Sequence, residues 1–294
     1  MSDFVQQQHT ICNFSNEESW VVLSPIEQNI KQKIESVGTP LKDWDIKIYR
    51  GVLTGYNDAF IISTEKRNEI LFNCQTEEER LRTAELIRPI LRGRDIKRYG
   101  YVDNGLYLIN THNGIRGHIP RVKIEDYPAI KAHLDQYWKK ISTRADKGDT
   151  PYNLRNCAYL EDFLKPKIMY PNMTKYIPFY FDKNGFYQND KSFMITGDTI
   201  AFLTAFLNSS IFKFCFLDNF PELQGGTREL RKIFFDKIPV LQVSKEINDA
   251  FIPKINDIQK DYTIQKAMEI DSMLFDLYNL TEEERETIGF IEIT

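Results

Sequence analysis

The sequence predicts an α+β fold, in which mixed sheets and packed helices form the body and a helical segment follows at the C-terminus. Three observations predict it: capped amphipathic helices near the N-terminus, short strand-like segments through the middle, and helical spacing of apolar residues in the acidic tail. With 294 residues, of which 42% are hydrophobic, the chain can bury a sizeable core. We divide it into an N-terminal linker and helix (1–44), a central body (45–243) and a C-terminal helical support segment (244–294).

The first predicted helix begins at a capping box. Residues 24–27, Ser-Pro-Ile-Glu, place serine at the N-cap, proline at the first helical position and glutamate three residues after the serine. Residues 46–50 then alternate like a strand, and Gly51 and Gly55 permit a tight turn before an apolar strand at 59–62. The intervening loop is therefore predicted to stand between two strands.

The next elements follow the same reasoning. Thr76 with Glu79 forms a second capping box, and Pro89 ends the helix that starts there. A short strand is predicted at 106–109, and apolar residues at helical spacing predict an amphipathic helix over 130–141.

The second half is predicted to contain four short strands, with a hairpin turn at 182–185. A helix over 199–216, capped by Asp198, is apolar on nearly every side, and we interpret it as a buried core helix rather than a membrane segment. The tail is helical, and Thr281 with Glu284 caps its last helix. The four strands are placed at 167–170, 178–181, 186–187 and 192–195.

Charge is distributed unevenly along the chain. The net charge is −4, but residues 30–244 hold 33 bases and 26 acids, whereas both ends are acidic. Residues 88–123 alone carry eight bases against two acids. Because a polyanion responds to the local charge rather than to the sum, the middle of the chain is where nucleic acid is predicted to bind.

Several chemistries are disfavoured by missing motifs. The four cysteines form no Cys-x-x-Cys pair and the four histidines lack metal-site spacing, so no metal site is predicted. None of the 14 glycines forms Gly-x-Gly and no Pro-Pro occurs, so the segments with which amino-group methyltransferases bind cofactor and target base are missing. We therefore expect no catalytic activity from this chain alone. The sequence also lacks a signal pattern and an apolar stretch of about 18 residues, which predicts a cytoplasmic location.

One catalytic alternative stays open. The tripeptides at 45–47 and 95–97, both Asp-Ile-Lys, fit the short half of a metal-dependent nuclease motif, in which carboxylates bind Mg²⁺ and a lysine steadies the attacking water. Neither has a convincing acidic partner upstream on a strand. A nuclease using Asp95 and Lys97 is therefore weighed against a structural interpretation, in which Asp95 pairs with a nearby arginine and fixes the turn.

Many of the basic residues are predicted to lie in loops beside Gly, Pro, Asn or Thr, where backbone and short polar groups can also reach phosphates and base edges. The aromatic residues at 170, 179–181 and 186 are interpreted as sheet core rather than as stacking platforms. The basic residues placed in this way are Arg94, Lys97, Arg98, Arg116, Arg121, Arg144, Arg155, Lys175 and Arg228.

The order of these motifs resembles a known family, the C-terminal target-recognition (specificity) domain of type IIG restriction-modification adenine methyltransferases, also called the Taq-type specificity domain. The likeness runs from about Trp20 to the last helix. It is carried by Gly38-Thr-Pro-Leu-Lys-Asp-Trp44, Thr54-Gly-Tyr-Asn-Asp-Ala-Phe60, Arg88-Pro-Ile-Leu-Arg-Gly-Arg-Asp-Ile-Lys-Arg-Tyr99, Lys165-Pro-Lys-Ile-Met-Tyr-Pro171, Phe206-Leu-Asn-Ser209, Gln224-Gly-Gly-Thr-Arg228, Ile238-Pro239 and the final helices from Ile270 to Glu284.

The resemblance implies a domain that reads double-stranded DNA and positions one adenine for methylation at its N6 amine. A methyltransferase catalytic domain in the same or a partner polypeptide would use S-adenosylmethionine, and a separate nuclease domain of the parent enzyme often uses Mg²⁺. This chain itself is expected to hold no cofactor. Since the catalytic motifs are missing, we expect either a fragment of a longer polypeptide or a detached specificity subunit. A protein-interaction scaffold, in which the acidic ends dock a partner, is the other alternative.

Together these considerations predict five DNA-facing loops, at 54–57, 94–98, 116–123, 172–175 and 224–228. Lysines and arginines would supply most phosphate contacts, whereas Arg, Asn and Gln can read purine edges through paired hydrogen bonds. The base readers are expected among Arg116, Arg121, Arg155, Asn172, Gln224 and Arg228. The full predicted set is Thr54, Asn57, Arg94, Lys97, Arg98, Arg116, Arg121, Lys123, Arg155, Asn172, Thr174, Lys175, Gln224, Thr227 and Arg228.

Overall fold

The computed structural model describes residues 23–291, which belong to two compact units. The first unit comprises residues 23–46, the short segment Met173–Ile177 and residues 198–291. The second comprises Lys47–Asn172 and Pro178–Gly197. The N-terminal acids at positions 3, 17 and 18, together with Cys12 and the start of the family likeness at Trp20, lie outside the described residues. The predicted division at residues 44 and 243 stays a prediction.

Helices and short strands alternate along the described residues, which confirms the predicted α+β class. The helices are α1 (Pro25–Val37), α2 (Asn57–Phe60), α3 (Thr64–Phe72), α4 (Glu77–Leu86), α5 (Pro128–Asp135), α6 (Trp138–Ile141), α7 (Ile200–Leu207), α8 (Ser210–Phe216), α9 (Lys232–Phe235), α10 (Lys245–Lys260), α11 (Ile264–Leu277) and α12 (Glu282–Ile288). The strands are β1 (Thr39–Pro40), β2 (Ile46–Arg50), β3 (Ile61–Ser63), β4 (Ile87–Leu91), β5 (Ile96–Lys97), β6 (Gly100–Tyr101), β7 (Leu106–Ile109), β8 (Lys167–Pro171), β9 (Met173–Thr174), β10 (Tyr180–Asp182), β11 (Tyr187–Gln188), β12 (Ser192–Gly197), β13 (Arg228–Glu229) and β14 (Pro239–Val240).

Two four-stranded sheets form the body of the second unit. The first has the order β10-β8-β12-β2, in which β8 is paired on both sides, and all five residues of β8 are buried. The second has the order β11-β4-β7-β3 and is mixed, since β11 runs parallel to β4 while β4 and β3 run antiparallel to β7. Helices α2 and α5 bury their apolar residues in the same core as the second sheet. That core includes Phe60, Leu108, Ile109, Ile130 and Leu134.

A buried ion pair links β8 to β10. Lys167 and Asp182 are both fully buried, and the ammonium donates to the carboxylate and, over 2.6 Å, to the Phe163 carbonyl. The Asp182 carboxylate also accepts from the backbone N–H groups of Asn184 and Phe186, at 2.9 and 3.0 Å. Burial lowers the pKa of the Lys167 ammonium, and the neighbouring Asp182 opposes that shift. The pair therefore holds the turn after β10 against β8.

In the first unit, α7 and α8 form the buried centre. Every residue of α7 is buried, and the helix ends at Asn208. The Ser209 hydroxyl accepts from the Phe212 N–H at 3.1 Å and starts α8. The Asp271 carboxylate on α11 accepts from the Ser210 N–H at 3.0 Å and from the Ser210 hydroxyl. The polar groups at this helix break are therefore satisfied inside an apolar core.

Two of the predicted capping boxes are confirmed, and the third, at Thr76, forms only in part because Glu79 bonds the N–H of Gln75 rather than that of the N-cap residue. Both halves of the capping box are present at α1, between Ser24 and Glu27, and at α12, between Thr281 and Glu284. The Thr76 hydroxyl accepts from the first turn of α4, and the Glu79 carboxylate returns to the Gln75 N–H at 2.9 Å. In each case a short polar side chain satisfies N–H groups that the helix leaves unpaired.

Other local predictions are corrected. The expected strand at 59–62 is instead one turn of helix, α2, followed by β3. Pro89 does not follow the helix directly, because α4 ends at Leu86 and Pro89 lies inside β4. The hairpin at 182–185 is wrong: Gly185 does adopt a positive φ of 73°, but β10 pairs with β8 while β11 pairs with β4 in the other sheet.

The single helix expected at 199–216 is also corrected. The segment is broken between α7 and α8, where Ser209 caps the second helix. Asp198 is not the cap of α7: this helix begins after Thr199, whose side chain makes no capping hydrogen bond. The prediction that this segment is buried is confirmed. No single helix within residues 23–291 has the length and apolar character to cross a membrane, and only the bent α7–α8 pair, with 66° between its parts, meets that test on length and composition.

Candidate nucleic-acid interface

Three groups of loops carry the predicted DNA-binding residues. Two belong to the second unit and one to the first. We name them the cleft loops (54–57, 113–123 and 144–158), the glycine turn (92–98 with 171–172 and 189–191) and the ribbon (173–176 and 222–229).

Arg144 organises the cleft loops from inside. Its side chain is buried, and its guanidinium donates to the carbonyls of Thr54, Pro151 and Asn153. It also lies over the Phe60 ring, 4.2 Å from the ring centroid. Burial lowers the pKa of Arg144 to about 10, so the group stays charged at neutral pH. The interpretation of Arg144 as a loop residue available to phosphate is therefore wrong, because the side chain ties two loops together.

The loop at 54–57 is tightly constrained. Gly55 has a φ of +67°, and a Cβ atom there would lie 2.7 Å from the Asp146 carbonyl oxygen, so this position requires glycine. Thr54 is 3% exposed and its hydroxyl donates to the Asn57 carboxamide oxygen at 2.6 Å. Thr54 therefore positions Asn57, which is the exposed member of the predicted pair.

An open cleft of about 750 Å³ lies between the second and third cleft loops. Gly114 and Gly117 turn the 113–121 segment back on itself with φ values of 73° and 78°, and Ile115 pairs with Ile119 across the bend. The cleft is lined by polar and basic side chains, among them Asn113, Arg116, His118, Arg121, Asp149 and Asn156. Because Arg116 is exposed and has no ion-pair partner within residues 23–291, its charge faces solvent at this cleft.

Two other cleft-loop arginines are held by carboxylates. Arg121 Nη1 lies 3.1 Å from Asp149 Oδ2, and Arg155 Nη1 lies 2.8 Å from Asp146 Oδ1. The arginine side chains are 39% and 57% exposed, respectively. Exposed pairs of this kind contribute roughly 0–1 kcal/mol, so a phosphate or a base edge can compete for either guanidinium.

The glycine turn carries a second group of cations. A Cβ at Gly93 would lie 2.5 Å from the Lys191 carbonyl oxygen, which shows how closely the two backbones approach. The Asp95 carboxylate, 3% exposed, accepts from the Arg92 N–H (2.8 Å) and guanidinium (2.9 Å) and from Asn104 (3.0 Å). Asp95 is thus buried and paired, which confirms the interpretation that it pairs with a nearby arginine and fixes the turn.

Arg94, Lys97 and Lys191 are exposed in the glycine turn, and the Lys97 ammonium donates to the Arg94 carbonyl at 2.9 Å. Arg98 packs its guanidinium 5.5 Å from the centre of the Tyr99 ring, and Tyr99 itself is buried. Asn172 joins this turn because its N–H donates to the Lys191 carbonyl at 2.9 Å. The turn therefore gathers residues that are far apart in sequence.

The ribbon brings two predicted loops together in the first unit. Arg228 pairs with Thr174 and Glu229 with Met173 in an antiparallel ladder, so the segments expected at 172–175 and 224–228 are neighbours. Arg228 is only 18% exposed, since its guanidinium lies 2.9 Å from Asp218, 3.2 Å from Glu222 and 2.7 Å from the Phe220 carbonyl.

The remaining ribbon residues differ in whether their side chains are exposed or hydrogen-bonded within the turns. Lys175 is exposed and has no ion-pair partner in the described part of the chain, and Gln224 is exposed beside two glycines of positive φ. The Thr227 hydroxyl donates to the Gln224 carbonyl at 3.1 Å, and the Thr174 hydroxyl donates to the Tyr176 carbonyl at 2.8 Å. Both threonines therefore shape the turn.

Sequence reasoning missed three residues that the structure places among these loops: Asn113, Asp149 and Lys191. Asn113 lies in the glycine-rich loop and Asp149 follows Gly148, so the sequence showed that both stand in turns. The position of Lys191 depends on a long-range backbone contact, which the sequence does not show.

Cys157 also lines the cleft, but burial raises the pKa of its thiol to about 11, so it is not poised as a nucleophile. No cluster of three or more His, Cys, Asp or Glu side chains suited to a metal occurs in residues 23–291.

The cleft loops of the second unit present exposed cations beside an open cleft, an arrangement suited to binding the phosphates of DNA. Residues 88–240, more than half of the chain, match the model of the TaqI-like C-terminal specificity domain. The chain belongs to that family.

One relative and two solved structures are similar to this chain. The type II methyltransferase M.MjaIV of Methanocaldococcus jannaschii is 25% identical over 246 residues, which span 77% of this chain and 74% of that protein. The type IIL restriction-modification enzyme MmeI, solved in complex with DNA, superposes with a TM-score of 0.59 at 11% identity over 85% of this chain and 35% of its own. The type IIG restriction endonuclease BpuSI superposes with a TM-score of 0.51 at 14% sequence identity, over 90% of this chain and 34% of its own. The chain spans about a third of these two enzymes, and at such identities the likeness shows the fold alone.

Proposed function

We propose that this chain reads a short sequence in double-stranded DNA on behalf of an adenine-N6 methyltransferase. The observation that carries the proposal is the cleft between the loops at 113–123 and 144–158. There Arg116 is exposed without an ion-pair partner in the described residues, while Arg121 is held only by an exposed pair. Such groups can exchange solvent or a weakly bound carboxylate for phosphates and base edges at little cost.

The division of labour follows from burial and pairing. Exposed cations without ion-pair partners among residues 23–291 are suited to phosphates, and the forked or amide side chains at the loops are suited to base edges. Thr54, Thr174 and Thr227 shape the loops that carry them. The phosphate contacts are assigned to Arg94, Lys97, Arg116, Lys123 and Lys175, and the base contacts to residues among Arg121, Arg155, Asn57, Asn172, Gln224 and Arg228. Arg98, which is half-buried with its guanidinium 5.5 Å from the centre of the Tyr99 ring, is proposed as a further phosphate contact beside Lys97.

The methylation chemistry belongs to a catalytic domain in the same or a partner polypeptide, which would use S-adenosylmethionine. The relation to a type II methyltransferase supports this part of the proposal. We assign any Mg²⁺-dependent cleavage to another domain of a type IIG parent enzyme, because Asp95 of this chain is buried and paired. A cytoplasmic location and the choice between a fragment and a detached specificity subunit stay predictions.

The salt dependence of duplex binding tests the proposal. A labelled random-sequence duplex is titrated with the chain by fluorescence anisotropy at several salt concentrations. If about six phosphates are neutralised, log affinity falls with log salt at a slope near −5. The double variant Arg116→Gln, Lys123→Gln removes two assigned phosphate contacts and is expected to reduce the magnitude of the slope by about 2.

The matched control is Lys139→Gln, Lys140→Gln, which removes two exposed lysines from α6, outside the three loop groups. It is expected to leave the slope within about 0.5 of the original value. An affinity that does not respond to salt, or equal slopes for the two double variants, would count against these loops as the DNA-binding surface. Binding to a methyltransferase chain without binding to any duplex would favour the scaffold alternative instead.

A further inference from the structure

Arg121 and Asp149 differ from an ordinary exposed ion pair because the acid is itself anchored. The Asp149 N–H donates to the Asn113 carboxamide oxygen at 2.9 Å, and the Asn113 amide donates back to Asp149 Oδ1 at 3.0 Å. The same amide donates to the carboxamide of Asn156. Asp149 Oδ2 is thereby left to face Arg121 Nη1 at 3.1 Å.

The backbone is built for this contact. A Cβ at Gly148 would lie 2.5 Å from Asn113 Oδ1 and 2.7 Å from the Leu154 carbonyl oxygen, so glycine is what lets the loop approach Asn113 so closely. The neighbouring pair, Arg155 with Asp146, shows no second side chain holding its carboxylate within residues 23–291. Asp149 is therefore the anchored carboxylate of the two.

An anchored carboxylate orients the arginine that it holds. The guanidinium has five N–H groups in a planar fork, and Asp149 accepts from one of the two at Nη1. The remaining N–H groups can form two parallel hydrogen bonds to O6 and N7 of guanine, which is the commonest specific arginine contact in the major groove. Holding a long side chain in place before binding reduces the rotamer freedom lost on binding.

We propose that Arg121 reads a guanine of the target at the cleft and that Asp149, anchored by Asn113, is the positioning residue that presents it. This assignment rests on the proposed function and adds to it the base class read and a residue that acts without touching DNA. Arg116, exposed beside it without an ion-pair partner in the described residues, supplies a phosphate contact that is indifferent to sequence.

The experiment uses the full chain and the preferred duplex, obtained by selection from a random pool. Dissociation constants are measured for that duplex, for every single base-pair substitution of it and for an unrelated duplex. Arg121→Lys keeps the charge but loses the planar fork, so discrimination at one G·C pair is expected to fall roughly tenfold or more, with little change on unrelated DNA.

The variant Asp149→Asn distinguishes a role of Asp149 in orienting Arg121 from an effect of its negative charge alone. It removes a negative charge close to DNA, so affinity for the unrelated duplex is expected to hold or rise, whereas discrimination at the same G·C pair is expected to fall several-fold. Glu77→Gln is the matched control, because Glu77 forms an exposed pair with Arg80 on α4, at 2.6 Å, away from the loop groups. It should leave discrimination at every position unchanged, and urea midpoints verify that all three variants fold.

The possible failures are distinguishable. If Asp149→Asn strengthens binding to target and unrelated duplexes equally and discrimination is kept, Asp149 only repels DNA and the positioning role is overturned. If Arg121→Lys discriminates as well as the original chain at every position, Arg121 reads no guanine. If the original chain selects no duplex at all, the proposed function fails before any variant is compared.

Discussion

At the scale of single residues, the arginines of this chain are distinguished by their burial. Arg144 is 7% exposed and satisfies three backbone carbonyls, whereas Arg121 and Arg155 are exposed and paired with carboxylates. Charged hydrogen bonds inside a protein are worth more than those at its surface, because water does not compete for the same groups. Arg144 therefore acts as internal scaffolding for loops whose outer side chains remain exposed.

Replacing Arg144 with methionine tests this scaffolding role. Arg144→Met leaves the carbonyls of Thr54, Pro151 and Asn153 without their donor, so the free energy of unfolding is expected to fall by about 3 kcal/mol. Urea denaturation measures the loss. The control Arg80→Met removes an arginine that is 53% exposed and paired with Glu77 on α4, and it should cost less than about 1 kcal/mol. Similar losses for the two variants would contradict the role assigned to Arg144.

At the scale of elements, close backbone approaches position the loops. Gly93 brings the glycine turn against the Lys191 carbonyl, and Arg94 follows directly. Gly93→Ala forces a Cβ to within 2.5 Å of that backbone oxygen, so the turn must shift. We expect a loss of about 1–3 kcal/mol in unfolding free energy, together with weaker DNA binding.

The control for this prediction is Gly100→Ala in β6. A Cβ there would meet only the Arg98 carbonyl oxygen at 3.9 Å, which is an ordinary contact, and Gly100 does not have a positive φ. The change in unfolding free energy should stay within about 1 kcal/mol of either sign. Urea midpoints and anisotropy titrations of both variants check the pair, and a Gly93→Ala protein as stable as the control would refute the steric argument.

Short sequence motifs predicted correctly those elements that depend on residues close together in the chain. The capping boxes at Ser24 and Thr281 were read correctly because the side chains that satisfy the first helical turn lie within three residues of each other. The hairpin at 182–185 was predicted wrongly because Gly185 makes a turn in either case, and the partner of β11 is β4, far away in sequence. The break at Ser209 depends on a buried Asp271 that no local pattern reveals.

For the candidate site, the sequence predicted the exposure of some residues correctly and that of others wrongly. The placement of cations in loops pointed to Arg94, Arg116 and Lys175, which the structure leaves exposed. Burial of Thr54 and Arg144 could not be predicted, because loop residues of the same polar type can face either way. The Asn113–Asp149 contact joins loops 36 residues apart, so only the folded chain shows it.

At the scale of the whole molecule, a net charge of −4 does not oppose DNA binding. The excess of bases lies in residues 30–244, which include all three loop groups, while the acids of the C-terminal helices lie elsewhere in sequence. Since salt screens charges over about 8 Å at physiological ionic strength, a polyanion responds to the charges close to its binding surface more than to the net charge of the chain. A DNA-binding surface can therefore be positively charged although the net charge of the chain is negative.

Selection of duplexes from a random pool tests the central claim most directly. The chain is incubated with random-sequence duplexes at about 0.15 M salt, near physiological ionic strength, and bound DNA is amplified and sequenced over several rounds. We predict enrichment of one short motif, bound at least roughly a thousandfold more tightly than unrelated duplexes. A pool that stays random, or that binds without regard to sequence, would contradict the claim that this chain is a DNA-reading specificity domain.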